Sequence, residues 1–392
     1  MRRRPFGPPY VHLAQALAVL LAMVCVLLPG MRMALAGEGG ALRVAVVVTR
    51  DSPFQPAGEV PGAAIEDAAR LLNGSGGVLG RPVDVKVFAD ACSARSAVTV
   101  AQSVIAAKPM VVIGHLCAGA ALAAAPLYSK AQIVFMTPGV RDPRLTMGEQ
   151  GGLVFRVAGR EDQFAADTVH LITALFGAAR IAVVGDRTLQ ARALVKDLAQ
   201  TLTQGGGTVV AKVLIESGEV SYDRTARKIA EAKPDVVVMP AQPVELGVLV
   251  DGLRRLGVKA PIIGSEILAV PAILPVARRE QGNLVLMLPW SGLAAGDGAT
   301  AGNRNGLAGS ISARAIGLRS RAAFEAWAQA CVTAGTVEAR AVADALRTNR
   351  VQTSVGLLGF DAAGDARVPS YVGYSFREGE WRPVPVKPEG RR

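Results

Sequence analysis

The sequence predicts an α/β protein made of two doubly wound parallel-sheet lobes, and three observations carry that prediction. The first is local. Residues Met110 to Gly139 run from a Val-rich strand through an Ala-rich helix to a second apolar strand with short connections, the unit from which parallel sheets are built. The second is rhythm, because β-rich runs alternate with helical patterns over most of the chain before Leu288. The third is size: 392 residues exceed what one compact core usually holds. A weak internal echo sets Ala107-Lys108-Pro109-Met110-Val111-Val112-Ile113 against Ala232-Lys233-Pro234-Asp235-Val236-Val237-Val238. It fits two related halves facing each other, and two ordinary helix-to-strand connections would produce it equally well.

The chain opens with Arg2, Arg3 and Arg4, an apolar run from about Leu13 to Leu28, and Ala34-Leu35-Ala36. A basic head, a short apolar middle and an Ala-x-Ala end predict a secretory signal peptide over residues 1–36, since the run is short for a membrane span and contains Gln15. Leu42–Val48 then reads as a strand buried on both faces. Gly62–Leu72 is helical and is stopped by Asn73-Gly74-Ser75-Gly76-Gly77. Val83–Phe88 reads as a strand, Ala94–Ala107 as a helix, and Met110–Ile113 as the next strand. Helix Ala118–Lys130 and strand Ile133–Met136 follow. Past this unit, strands are expected at Ile181–Val184, Thr208–Ile215, Val236–Met239 and Pro261–Ile263. Between them fall helices at Asp162–Phe176, Leu189–Leu202, Tyr222–Ala232 and Val244–Leu256. The Gly-, Ala- and Asn-rich stretch Pro289 to Ser312 reads as loop. Helices return at Ala322–Ala334 and Glu338–Thr348, a strand-turn region covers Val355–Tyr374, and the Pro-rich tail after Arg382 is expected to be disordered.

The formal charge is +11. Four of the 43 basic residues and none of the 32 acidic ones lie in the leader, which leaves 39 against 32, or +7, for the rest. Those basic residues are scattered, and with only 5% aromatics there is no basic-aromatic stripe, so no nucleic-acid partner is expected. Past the leader the cysteines are Cys92, Cys117 and Cys331. In an oxidising compartment two would pair. Cys92 and Cys117 each follow an expected strand end, whereas Cys331 lies on an amphipathic stretch with Phe324, Trp327 and Ala328 and reads as a small apolar core residue.

Catalytic patterns are missing. His115 and His170 are the only histidines past the leader, and His115 beside Cys117 falls short of a metal site. There is no Gly-x-Ser-x-Gly elbow and no Walker loop. Asn73 to Gly80 superficially suggests a dinucleotide loop but follows a helix and precedes a strand, the reverse of what phosphate binding needs. Neither enzymatic activity, metal nor cofactor is expected. What remains are groups at strand ends, where doubly wound sheets bind ligands: Cys117-Ala118-Gly119, Thr137-Pro138-Gly139, and Glu266, which reads either as a cleft carboxylate or as an ordinary solvated strand end.

One combination of motifs is specific. Ala89-Asp90-Ala91-Cys92, Val111 to Cys117, Thr137-Pro138, Asp142-Pro143, Leu145-Thr146, Val154-Phe155-Arg156 and Gly159-Arg160-Glu161-Asp162-Gln163 occur in order, with Gly359-Phe360-Asp361-Ala362-Ala363-Gly364-Asp365 near the end. Together they resemble the leucine/isoleucine/valine-binding proteins of bacterial ABC transporters, over roughly Leu42 to Leu288 and Ala322 to Trp381. The resemblance implies a two-lobed type I periplasmic binding protein with crossing hinge strands and a disulfide between Cys92 and Cys117. It implies lobe 1 over 37–157, lobe 2 over 158–288, a return to lobe 1 over 289–350, and closing strands with hinge and lobe 2 over 351–381, before the tail 382–392. It implies a monomer in the periplasm that binds a small molecule and docks on a membrane permease. A sensing protein of the same fold, signalling to a receptor, is the alternative.

At the ligand positions the chain departs from that pattern. Ala118 replaces the family's serine and Arg141 its threonine, while the family's first-lobe aromatic falls near Ala57 and its second-lobe tyrosine near Gln242, so both aromatic walls are lost. Gly139 matches a carbonyl that accepts from the ligand ammonium, Glu161 stands in for an aspartate, and Glu266 matches the ammonium-binding glutamate. Lost hydroxyls and a gained guanidinium point to an amino acid, branched-chain-like, or a related small carboxylate, with Arg141 as a bidentate donor.

Overall fold

Alternation along single strands sets the architecture. In β1 (Leu42–Thr49), Leu42, Val44, Val46 and Val48 pack into one core while Ala45 and Val47 pack into another, because successive side chains of a strand point to opposite faces. A strand buried on both sides must lie inside a parallel sheet covered by helices. The computed structural model describes residues 40–50, 57–148, 152–240, 243–292 and 307–386. The expected leader 1–36, Gln242, residues 293–306 of the Gly-rich stretch and residues 387–392 of the tail lie outside the described residues.

The first sheet has the order β2-β1-β3-β4-β5, with β2 (Val83–Asp90), β3 (Val111–Gly114), β4 (Val134–Thr137) and β5 (Val154–Arg156) all parallel. Helices Ala94–Ala106 and Ala118–Lys130 cover one face through Ala97, Ala101, Val104, Ala120, Ala124 and Tyr128. Helices Val60–Gly74 and Leu307–Ala334 cover the other, with Ile65, Phe324, Trp327 and Cys331 buried. Each such Val, Leu or Phe contributes roughly 1.5–3 kcal/mol relative to leaving it in water. Ser93 caps the first of these helices by accepting from the Ser96 amide at 3.2 Å.

The second sheet has the order β14-β13-β10-β9-β8-β6-β7. Strands β6 (Arg180–Asp186), β7 (Thr208–Ile215), β8 (Val236–Val238), β9 (Ile262–Gly264) and β10 (Leu284–Pro289) are parallel. After β10 the chain returns to the first sheet's core through Leu307–Ala334, Ala339–Thr348 and the hairpin β11 (Val351–Thr353) and β12 (Gly356–Leu358). It then goes back, adding β13 (Tyr371–Arg377) and β14 (Glu380–Pro383) antiparallel at the sheet edge. Two expectations fail. The helix begins at Leu307 rather than at Ala322, so it takes in Leu307–Ser312 of the expected loop, where Ala, Leu and Ser sustain a helix despite Gly309. Arg382 and Pro383 close β14, and the Val384 amide donates to the Gly373 carbonyl at 2.7 Å, so the ordered chain runs past Arg382.

Three segments pass between the sheets: 156–160, 289–292 and 365–371. They run together. The Arg156 amide donates to the Gly364 carbonyl, the Ala366 amide to the Arg156 carbonyl, the Trp290 amide to the Ser370 carbonyl, and the Arg160 amide to Ser370 Oγ, all at 2.8–3.0 Å. A Cβ at Gly159 would lie 2.3 Å from the Ser370 Cα, so only glycine permits this approach. The Arg156 side chain is fully buried beside them, donating to Asp365 Oδ1 at 2.8 Å, the Asp142 carbonyl at 2.6 Å and Thr146 Oγ1 at 2.6 Å. Removing Asp365 would leave that charge buried without its counter-ion. Asp365→Ala is therefore expected to lower stability by roughly 3–5 kcal/mol in urea unfolding, and a loss well under that range would show the pair to be incidental.

Candidate functional site

The loop after β3 and the loop after β2 are held by a buried polar network. Asp90 Oδ2 lies 2.7 Å from His115 Nδ1, and His115 Nε2 lies 2.9 Å from the Tyr128 hydroxyl. Burial, then the nearby Asp90 charge, raises the Tyr128 phenol well above its ordinary value, so it stays neutral and donates to Nε2. That leaves the Nδ1–H of His115 for Asp90. Asp90 Oδ1 also accepts from the Cys92 amide at 3.0 Å. Cys92 and His115 both hold positive φ, 58° and 47°, a conformation the network stabilises. Cys92 is joined to Cys117 by a disulfide with Cα atoms 5.3 Å apart, as the resemblance implied, and Cys331 is buried and unpaired. Thr137 Oγ1 extends the network by donating to the His115 carbonyl at 3.1 Å and accepting from the Val140 amide at 3.2 Å. This fixes the turn that carries Gly139 and Arg141.

Arg141 is where the two sheets meet. Its Nη1 donates to Glu266 Oε2 at 3.3 Å, joining the carboxyl end of β4 to the carboxyl end of β9. Its Nε donates to the Gly159 carbonyl at 3.2 Å, on the first crossing. Its guanidinium carbon lies 4.4 Å from the centre of the Tyr371 ring, a cation–π contact with the third crossing. Its Nη2 is buried with no hydrogen-bond partner among the described residues. A second guanidinium stands behind it. Arg319, from the long helix Leu307–Ala334, is buried; its Nε donates to the Pro138 carbonyl and its Nη1 to the Trp290 carbonyl, each at 2.7 Å. Among the described residues no carboxylate lies within ion-pair distance of it. Burial, and then the Arg141 charge, push its guanidinium down to about 10. Burial pushes the Tyr371 phenol up to about 12, against the opposing pull of Arg141.

The residues singled out from the sequence divide accordingly. Arg141 and Glu266 are brought into contact. Glu161 joins through its backbone, its amide donating to the Arg141 carbonyl at 3.0 Å and its carbonyl accepting from the Tyr371 hydroxyl at 3.3 Å, while its side chain is exposed. Gly139 is half-buried in the same turn, where a Cβ would lie 3.0 Å from Leu116 Cδ2. Ala118 is a half-buried residue opening the helix Ala118–Lys130 behind Cys117. Arg319, Tyr371 and Trp290 were not expected from the sequence. Arg319 had a usable signal: it falls on the buried stripe Ala315, Ile316, Arg319, Ala322, Ala323 of a helix, and a lone cation on such a stripe needs a partner.

The Asp90 network also generates a pH dependence. Burial would raise the Asp90 carboxyl, but the hydrogen bonds from His115 and the Cys92 amide outweigh it and hold the group below its ordinary value of 3.8. A depressed folded value means that its contribution to stability is fully present above 3.8 and is lost as pH falls through the lower, folded value. Asp90→Asn should flatten the acid limb of stability against pH, measured by thermal unfolding. An acid limb of unchanged slope would contradict this.

Comparison with known proteins agrees with this architecture. Residues 41–373 match the family model described as periplasmic binding protein. The chain is 27% identical over 350 residues to Leu/Ile/Val-binding protein homolog 1 of Brucella abortus, covering 87% of this chain and 93% of that one. It is 26% identical over 324 residues to an amino acid binding protein of Pseudomonas aeruginosa, covering 81% and 86%. The crystal structure of a Rhodospirillum rubrum protein assigned to branched-chain amino acid ABC transport superposes with a TM-score of 0.71 at 19% identity, over 88% of this chain and all of the other.

Proposed function

The chain belongs to the periplasmic binding protein family, and from that premise we propose that it is the solute-binding component of an ABC importer, taking an amino acid or a related small carboxylate between two lobes that close around it. One observation carries the reading: at the junction of the lobes, Arg141 keeps a buried Nη2 without a partner among the described residues, while its other nitrogens are anchored to a crossing segment and to the opposite lobe. A buried guanidinium N–H left unsatisfied is costly, and a carboxylate is the acceptor that matches its planar fork. Gly139 and the Ala118 helix start form the lobe 1 side of the pocket, and Glu266 the lobe 2 side.

The mechanism needs no bond chemistry. A ligand that touches both lobes binds the closed state better than the open one and shifts the population by that difference alone. The closed face then docks on the membrane permease, on the periplasmic side to which the family points. Because Arg141 is tied to the Gly159 carbonyl, ligand at Arg141 bears directly on a crossing segment.

Two results test the proposal. In a thermal-shift screen of the purified protein with amino acids, keto acids and simple carboxylates, a ligand at a hundred times its Kd should stabilise the fold by about 2.7 kcal/mol. Absence of a shift with every solute would overturn the importer reading. Arg141→Ala should abolish binding of whichever carboxylate is found, as read by calorimetry, and unchanged affinity would remove Arg141 from the site.

A further inference from the structure

Resting on that reading, we infer that the cleft selects monoanionic carboxylates lacking an ammonium group over amino-acid zwitterions. The negative charge in the cleft is already spoken for. Recognition of an amino acid needs an anion free to take the ammonium, and Glu266, which stands at the family's position for it, is instead occupied by Arg141 at 3.3 Å. An incoming ammonium would have to displace a guanidinium from that carboxylate and remain beside it.

Of the other acidic groups near the junction, all but the exposed Glu161 are committed. Asp142 is held by Arg144 through both carboxylate oxygens. Asp162 is paired with Arg160 at 2.5 Å, and Asp365 with Arg156 and Arg160. Glu161 turns an exposed side chain to solvent. The Pro138 carbonyl, an acceptor in the same turn as Gly139, takes the Arg319 Nε–H. What is left over among the buried groups at the junction is positive: Arg141 and Arg319, against the carboxylates of Glu266 and Glu161, which are both exposed, with Arg319 facing no carboxylate among the described residues. A monoanion neutralises that surplus. A zwitterion leaves it in place and adds a third cation to the cluster, where low dielectric makes like charges repel strongly. Burial first, and then the Arg141 charge, hold the Arg319 guanidinium below its ordinary value. A ligand carboxylate can take the Arg141 Nη2, which has no hydrogen-bond partner among the described residues, without breaking the contact to Glu266.

The test is calorimetry on the purified wild-type protein with ligands that differ only in the amino group: leucine against its keto acid and its deaminated acid, and phenylalanine against the same two derivatives. The deaminated partner of at least one pair should bind about tenfold tighter or better than the amino acid. Glu266→Gln provides a second readout, and should tighten the carboxylate several-fold by removing the competing anion while leaving the amino acid the weaker ligand. Leucine or phenylalanine binding as tightly as its partners, or a Glu266→Gln variant that loses amino-acid binding selectively, overturns the inference and leaves the importer reading standing. Failure of all six compounds while some uncharged solute shifts the melting curve does the same. Silence from every solute overturns both.

Discussion

A guanidinium can be buried only if its donors and its charge are met, and the three arginines at the junction of the lobes meet that demand to different degrees. Arg156 is met in full, by a carboxylate, a hydroxyl and a carbonyl. Arg319 has its donors met by two carbonyls but, among the described residues, no carboxylate for its charge. Arg141 has a half-exposed carboxylate, a carbonyl, an aromatic face and, among the described residues, one nitrogen left over. Along this gradient the saturated arginine fixes the crossing segments, and the under-satisfied pair is where we propose that a ligand binds.

The same gradient explains how binding reaches the hinge. Three crossing segments lie against one another closely enough that Gly159 admits no side chain and Gly364, at φ +97°, packs against the Val154 carbonyl. Arg141 contacts two of them, through Gly159 and Tyr371, while Arg319 grips the third through Trp290. On the proposed reading, a ligand seated on these cations is linked through them to all three crossing segments. Behind them, the disulfide and the Asp90–His115–Tyr128 network hold the strand ends of the first lobe still, a preorganised surface for the closure proposed above.

Most of the fold was legible in the sequence because parallel strands buried on both faces announce themselves as continuous apolar runs, as in Leu42–Val48. Strands β5 and β10 were not, since Val154–Arg156 is three residues long and Leu284–Pro289 runs straight into a crossing segment. The start of the long helix was hidden by glycines and serines that resemble a linker. At the site, Arg141 and Glu266 were legible as departures from, and agreements with, a family pattern at known strand ends. Their contact was not, because nothing in one sequence says that residues 125 apart share an ion pair. Tyr371 and Arg319 were missed because they reach the site from the far end of the chain, through a crossing strand and a covering helix.

The central claim is that a ligand carboxylate completes the coordination of Arg141. A crystal structure of the protein grown with a bound carboxylate tests it most directly. The account predicts a carboxylate oxygen at about 2.7–2.9 Å from Arg141 Nη2, with Tyr371 still beneath the guanidinium and the lobes closed. A ligand whose carboxylate rests instead on the amides that open the Ala118 helix, with Arg141 turned out to solvent, would contradict it.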